Sequence, residues 1–114
     1  MPQTLEVQSS ATIDLIALTH PGEMLREDFL EPLGLTAYQL SKSLGVQQTR
    51  ISEILRGQRD VSLETSLLLD KFFGLSDGYW MRLQTDYNLR KARRLLTEKI
   101  SNVQPYNATQ RKAA

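Results

Sequence analysis

Residues 36–57, TAYQLSKSLGVQQTRISEILRG, constrain the fold of this chain more than any other stretch, because two short helical patterns meet there at a turn that opens with Gly45. Thr36, followed three residues later by Gln39, has the S/T-x-x-E/Q form of a capping box, in which each side chain bonds the other residue's backbone N–H. Leu40 and Leu44 recur at helical spacing and give the first helix one buried face. Gly45 falls where the chain must leave that helix, and glycine takes the left-handed C-terminal conformation without a Cβ penalty. Val46, Ile51, Ile54 and Leu55 form the apolar side of the second helix, so Gln47, Gln48, Thr49, Arg50, Ser52, Glu53 and Arg56 lie outside it.

Two tightly joined helices, the second with a mostly hydrogen-bonding outer face, have the pattern of a DNA-reading helix-turn-helix. Base edges in the major groove present a code of donors and acceptors, which glutamine matches at adenine and arginine at guanine. An ordinary helical hairpin with a solvated face is the alternative; turn, caps and polar set agree on DNA. Ser41 stands where most such motifs carry alanine at the contact between the helices, and it fits if its hydroxyl bonds back to a carbonyl. Glu53, in the middle of the polar face, can accept from a cytosine amino group. Such a glutamate more often pairs with a neighbouring arginine, and pairing is the expectation.

A chain of 114 residues is normally one domain with a small core. Its 40% hydrophobic and 24% charged residues exclude wholesale disorder. No apolar run approaches the roughly 18 residues of a membrane span, and the N-terminal residues lack the pattern of a secretory signal. The absence of cysteine excludes disulfides and thiolate metal sites and fits a reducing cytoplasm. A net charge of +1 conceals a division. Residues 1–35 carry Arg26 against Glu6, Asp14, Glu23, Glu27, Asp28 and Glu31, whereas residues 42–59 carry Lys42, Arg50, Arg56 and Arg59 against Glu53 alone. From Arg82 onward eight basic residues face only Asp86 and Glu98. Such asymmetry suits one surface for phosphate and another for a basic partner.

The segment Thr19-His20-Pro21-Gly22-Glu23 signals an earlier helix, with Pro21 suited to its first position and Glu23 to its first turn. Leu25 and Phe29, four apart, give it an inner face, and Pro32 with Gly34 ends it. Beyond the motif, Ser62 caps a run through Leu63, Leu67, Leu68, Leu69, Phe72 and Phe73. That helix is apolar on more than one side and is expected at the hub of the core; Gly74 stops it. Ser76 and Asp77 start a last, long helix in which Trp80, Leu83 and Tyr87 are spaced three and four apart before the pattern shifts to Leu89, Ala92, Leu96 and Ile100. It outlasts what a small core covers, so its later half is expected to pack on something else. Residues 1–18 are expected to be an N-terminal arm, either a strand through Leu5 and Val7 or a turn through Ile13, Ile16 and Ala17 that orders on a partner, or else an unstructured leader. Residues 19–101 are expected to form the domain and residues 102–114 a frayed tail.

The words HPGEMLREDFLEPLGLT, GQRDVSLETSLLLDKFFG and YWMRLQTDYNLRKAR, flanking the motif, resemble the HigA-type antitoxins, a branch of the lambda-repressor-like (Xre-type) helix-turn-helix regulators. The resemblance spans about residues 20–94; its specific pair is His-Pro-Gly-Glu before the first helix and Trp-x-x-Leu-Gln-x-x-Tyr in the last. It implies an all-α, five-helix lambda-repressor-like domain with an N-terminal extension and an extended C-terminal helix. It also implies a cytoplasmic homodimer, nucleoid-associated when it binds double-stranded DNA at a palindromic operator in its own promoter. The implied second partner is a HigB-type toxin, a small, usually basic RelE-like ribonuclease that cuts mRNA on the ribosome. Gln47, Gln48, Thr49, Ser52 and Arg56 correspond to the groove-facing positions that read bases. Thr36, Gln39, Lys42, Arg50 and Arg59 are the phosphate candidates. Gln47-Gln48 stands where Ser-Arg or similar pairs are frequent in the family, so the operator sequence does not carry over, and residues 1–18 extend upstream of the usual start.

A twofold dimer offers two recognition helices about 34 Å apart, one turn of DNA, so dimerisation belongs to the mechanism. Tyr79, Trp80, Leu83, Tyr87 and Leu89 on the last helix are the interface candidates; for Trp80 and Leu83 the alternative is that they close the monomer core. No catalytic, metal or cofactor site is expected. His20 is the sole histidine, has no second ligand at metal spacing, and suits a capping or packing role. A stand-alone repressor of phage type, without a toxin, is the rival reading, and a neighbouring reading frame for a small basic protein separates the two.

Overall fold

In the computed structural model, which describes residues 18–107, the chain folds into six helices among the described residues, with no strand. Residues 1–17, which hold nearly all of the expected arm, and 108–114 of the expected tail lie outside the described residues.

Helix α1 (residues 21–33) is α-helical over Pro21–Met24, π-helical over Leu25–Leu30 and α-helical again over Glu31–Leu33. Its N-terminus is capped by His20, whose Nδ1 accepts the N–H of Gly22 at 2.9 Å. The wide turn alters which residues share a face. Leu25 and Leu30, five apart, are both buried, while Phe29 is only half-buried. Pro32 supplies a local cause, since it has no N–H to give the carbonyl of Asp28 and its ring crowds that oxygen. The proline therefore lies within the last turn, and the helix ends at Gly34 with φ of 68°.

Helices α2 (Ala37–Leu44) and α3 (Gln48–Leu55) are the two arms of the motif. Both bonds of the Thr36–Gln39 capping box form, at 3.1 and 2.9 Å. Gly45 leaves α2 at φ of 73°, and its N–H reaches Ser41 O at 2.9 Å. Leu40 and Ser41 on α2 meet Ile51 and Ile54 on α3, all buried. Ser41 Oγ bonds back to Tyr38 O at 2.7 Å, so the hydroxyl is satisfied without leaving the contact.

Helix α4 (Leu63–Phe73), capped by Ser62 Oγ at 3.2 Å from Thr65 N, departs from expectation. Its buried side is Thr65, Ser66, Leu69 and Asp70, whereas Leu63, Leu67 and Phe72 are exposed. An apolar residue on every side of a helix does not bury every side; α4 packs on α2 and α5, and its Phe73 meets Phe29 of α1 at 4.8 Å between ring centroids. Helix α5 (Tyr79–Leu95) is started not by Ser76 or Asp77 but by Asp70 of α4, which accepts the N–H groups of Gly78 and Trp80 at 2.8 and 3.3 Å. The long helix breaks at Leu96, where φ and ψ are −107° and 14°, and a short α6 (Thr97–Ser101) follows. Residues 102–107 are exposed and not helical.

The core is Leu25, Leu30, Leu40, Ile51, Ile54, Val61, Leu69 and Trp80, with one or more residues from every helix of the domain except α6. Each such side chain contributes about 1.5–3 kcal/mol by leaving water. Buried Gln84 ties the loop before α4 to α5: its Oε1 accepts from Val61 N at 2.8 Å and its Nε2 donates to Asn88 at 3.0 Å. One approach is closer than any side chain allows. A Cβ on Gly22 would lie 1.7 Å from the carbonyl oxygen of Ile54, so α1 seats α3 through a backbone contact that requires glycine.

Candidate nucleic-acid interface

The buried pair Ile51 and Ile54 pins the inner side of α3 and thereby fixes what the outer side presents. Gln48 and Thr49 stand exposed in its first turn, Ser52 half-buried one turn on, and Arg56 exposed at its end. Spacings of three and four put these on one face. Gln47 is the N-cap residue, extended and exposed, with no side-chain bond to the helix. Four of the five residues singled out for base reading, Gln48, Thr49, Ser52 and Arg56, thus share one face of α3, and Gln47 stands at its N-cap.

The phosphate candidates fall in two groups, one on α2 and one at a cleft lined by Arg50 and Arg59. Thr36 and Gln39 are exposed at the start of α2, where their reciprocal bonds close the first turn; Lys42, one turn on, lies 5.4 Å over the Tyr38 ring. Tyr38 was not among the sequence candidates although it is exposed in the first turn of α2, two residues past the cap; that position was its available signal. Across α3, Arg50 and Arg59 line a cleft of about 380 Å³ with Asp60 and Glu64. Arg50 lies 3.7 Å from Glu64, and Arg59 Nε donates to Glu53 at 2.7 Å, the pairing expected for Glu53. Arg56 Nε donates to Gln58 at 3.3 Å.

His20 packs and caps. Its ring meets Tyr87 of α5 edge-on at 5.1 Å and lines a cleft with Gly57 just past α3, while Nε2 lies 3.5 Å from Asp60. Since Nδ1 accepts the Gly22 N–H, the ring's proton is on Nε2, on the Asp60 side. Among the described residues no three of His, Cys, Asp and Glu converge as metal ligands, and no helix is long and apolar enough to cross a membrane.

The interface candidates on α5 divide. Trp80 is fully buried against Phe29, with 5.2 Å between ring centroids, and has no surface to offer; it belongs to the monomer core, the alternative weighed for it. Tyr79, Leu83 and Tyr87 are half-buried, and Leu89 is 54% exposed. Leu89 stands between two clefts, one of about 380 Å³ lined by Met81, Thr85 and Asp86, the other of about 360 Å³ lined by Asp86, Arg90 and Arg93. Met81 and Thr85, eight and four residues before Leu89 on the same face, were not among the candidates because the tyrosines and Trp80 dominated the apolar pattern.

Comparison with known proteins agrees with this geometry. The helix-turn-helix family model matches residues 27–80. Virulence-associated protein I of Dichelobacter nodosus is 47% identical over 73 residues, which cover 64% of this chain and 68% of that protein. A HigA-family addiction-module antidote protein from Coxiella burnetii superimposes with a TM-score of 0.72 at 37% identity, over 77% of this chain and 97% of that one. The Pseudomonas aeruginosa antitoxin HigA, solved with the higBA promoter, does so with a TM-score of 0.75 at 31% identity, over 78% and 98%. With the paired helices, the Gly45 turn and the polar face of α3 already in place, these likenesses identify the chain as a member of the HigA-type antitoxin family of helix-turn-helix regulators.

Proposed function

We propose that this protein is an antitoxin that binds a palindromic operator in its own promoter as a homodimer and neutralises a HigB-type toxin by direct binding. The observation that carries the DNA half is the polar face of Gln48, Thr49, Ser52 and Arg56, with Gln47 at its N-cap, on a helix held by a capped, glycine-turned neighbour. Thr36, Gln39 and Lys42 on α2, with Arg50 and Arg59 at the cleft they line together, are the proposed phosphate contacts of an α3 seated in a major groove. The P. aeruginosa relative with the same fold was solved with promoter DNA, which supports the same use here.

One copy fills one groove. The proposed twofold contact runs along α5 at Leu89, with Tyr79, Leu83 and Tyr87 at its margin, because Leu89 is exposed where the helix outlasts the core. Asp86 and Arg93 lie at nearly equal distances on either side of Leu89, so an antiparallel partner brings each opposite the other. The toxin half rests on family membership and on the acidic outer side of α1, where Glu23, Glu27, Asp28 and Glu31 are exposed and Arg26 pairs with Glu27 and Glu31. The test is to express the chain with the reading frame beside its own. Co-purification of a small basic protein whose RNA cleavage stops on binding supports the reading; a chain that binds operator DNA with no such partner is instead a stand-alone repressor.

A further inference from the structure

On a surface that meets phosphate, an acidic side chain repels, and Glu53 stands in the middle of α3 with a side chain still 30% exposed. Two of the three carboxylates in this region, Glu53 and Glu64, are nevertheless engaged with an arginine, and the third, Asp60, faces the Nε2 side of His20. Glu53 holds Arg59 at 2.7 Å, Glu64 lies 3.7 Å from Arg50, and Asp60 lies 3.5 Å from the Nε2 of His20. The Glu53 bond joins the recognition helix to the loop behind it, six residues away, and it uses Arg59 Nε alone. The N–H groups on the two terminal nitrogens of the guanidinium are left to donate outward. Arg59 is about half-exposed, on a loop that would otherwise leave its long side chain free to rotate.

We propose that Glu53 is a positioning residue for DNA binding: it fixes the Arg59 guanidinium beside Arg50 at the edge of α3, so that one backbone phosphate is gripped by a side chain already held in place. This rests on the DNA-reading assignment and adds to it the role of an acid that opposes the phosphate by charge. Immobilising a free arginine costs about 0.5–1.5 kcal/mol, so a brace that prepays the cost strengthens binding roughly two- to ten-fold. The brace acts whatever the base sequence, because a phosphate contact carries none.

Binding of the full chain is measured by fluorescence anisotropy on two duplexes, the DNA directly upstream of its own coding sequence and a random sequence, with thermal melting as the check on folding. Glu53→Ala is expected to weaken both complexes roughly two- to ten-fold although it removes a negative charge. In an Arg59→Ala background the same change is expected to leave affinity unchanged or to raise it. Arg59→Ala alone should lower the slope of log K against log salt by about 0.9, the signature of one lost phosphate contact. Tighter binding by Glu53→Ala in the wild-type background would mean that Glu53 only repels, and equal weakening in both backgrounds, or loss confined to one base pair, would mean that it reads a base; either overturns the proposal. Equal affinity of the unaltered chain for the two duplexes would count against the operator assignment, while the random duplex would still report on the brace.

Discussion

Asp70 on α4 accepts the backbone N–H of Trp80, ten residues further along, and the same carboxylate accepts that of Gly78. Asp70 has no exposed surface, and Gly78 enters α5 with φ of 92° and no side-chain cap of its own. The end of one helix thus satisfies the orphan donors at the start of the next, and the bond fixes the angle at which α5 leaves the domain. Asp70→Ala leaves two sheltered N–H groups unpaired, at about 1–3 kcal/mol each. A loss of roughly 2–4 kcal/mol in urea unfolding is expected, with Asp70→Asn intermediate because it keeps one acceptor oxygen. A change under 0.5 kcal/mol, roughly that of an ordinary surface substitution, would contradict this account of α5.

Gly22 and Gly45 make a contrasting pair. Gly22→Ala drives a methyl into the carbonyl oxygen of Ile54, so α1 and α3 must separate; a cost of about 1–3 kcal/mol and a larger proportional loss of DNA affinity are expected. Gly45→Ala meets open space and suffers only its φ of 73°, about 1–2 kcal/mol, with affinity nearly kept once folded. Melting curves beside binding isotherms for the two variants separate the effects.

Arg56→Ala and Gln48→Ala are each expected to cost about 1–3 kcal/mol on operator DNA and to relax preference at one base pair. Selection of bound sequences from a randomised duplex pool measures this directly. Uniform weakening across the pool would reassign the residue to phosphate.

Trp80 and Leu89 separate folding from assembly. Trp80→Ala opens the core and is expected to cost about 3–5 kcal/mol. Leu89→Asp alters an exposed residue, so the monomer should melt nearly as before while sedimentation shows dimer giving way to monomer. A Leu89→Asp chain that stays dimeric would move the interface elsewhere.

What the sequence made legible is what is decided locally. The Thr36–Gln39 box, the left-handed Gly45, the Ser41 back-bond and the Glu53–Arg59 pair all join residues within six positions, and each follows from side-chain reach alone. The polar row of α3 was legible for the same reason, as the complement of Ile51 and Ile54. Less was visible where packing decides. A period of 3.6 pairs Leu25 with Phe29, but the wide turn pairs Leu25 with Leu30 instead. Leucines on all sides of α4 did not reveal which side would be covered, and Leu63 and Leu67 turned outward. Asp70 read as an ordinary helical acid because its partners are eight and ten residues away. Leu96 carried the helical pattern straight through the break that it forms.

The proposed role of α3 as half of a twofold DNA reader requires two symmetric half-sites. Hydroxyl-radical footprinting of the full chain on the DNA upstream of its own coding sequence tests it most directly. The expected result is two protected half-sites of inverted sequence, centred about 34 Å apart on one face of the duplex, and erased by the double change Gln48→Ala with Arg56→Ala. A footprint without that symmetry, or one that survives the altered face of α3, would contradict it.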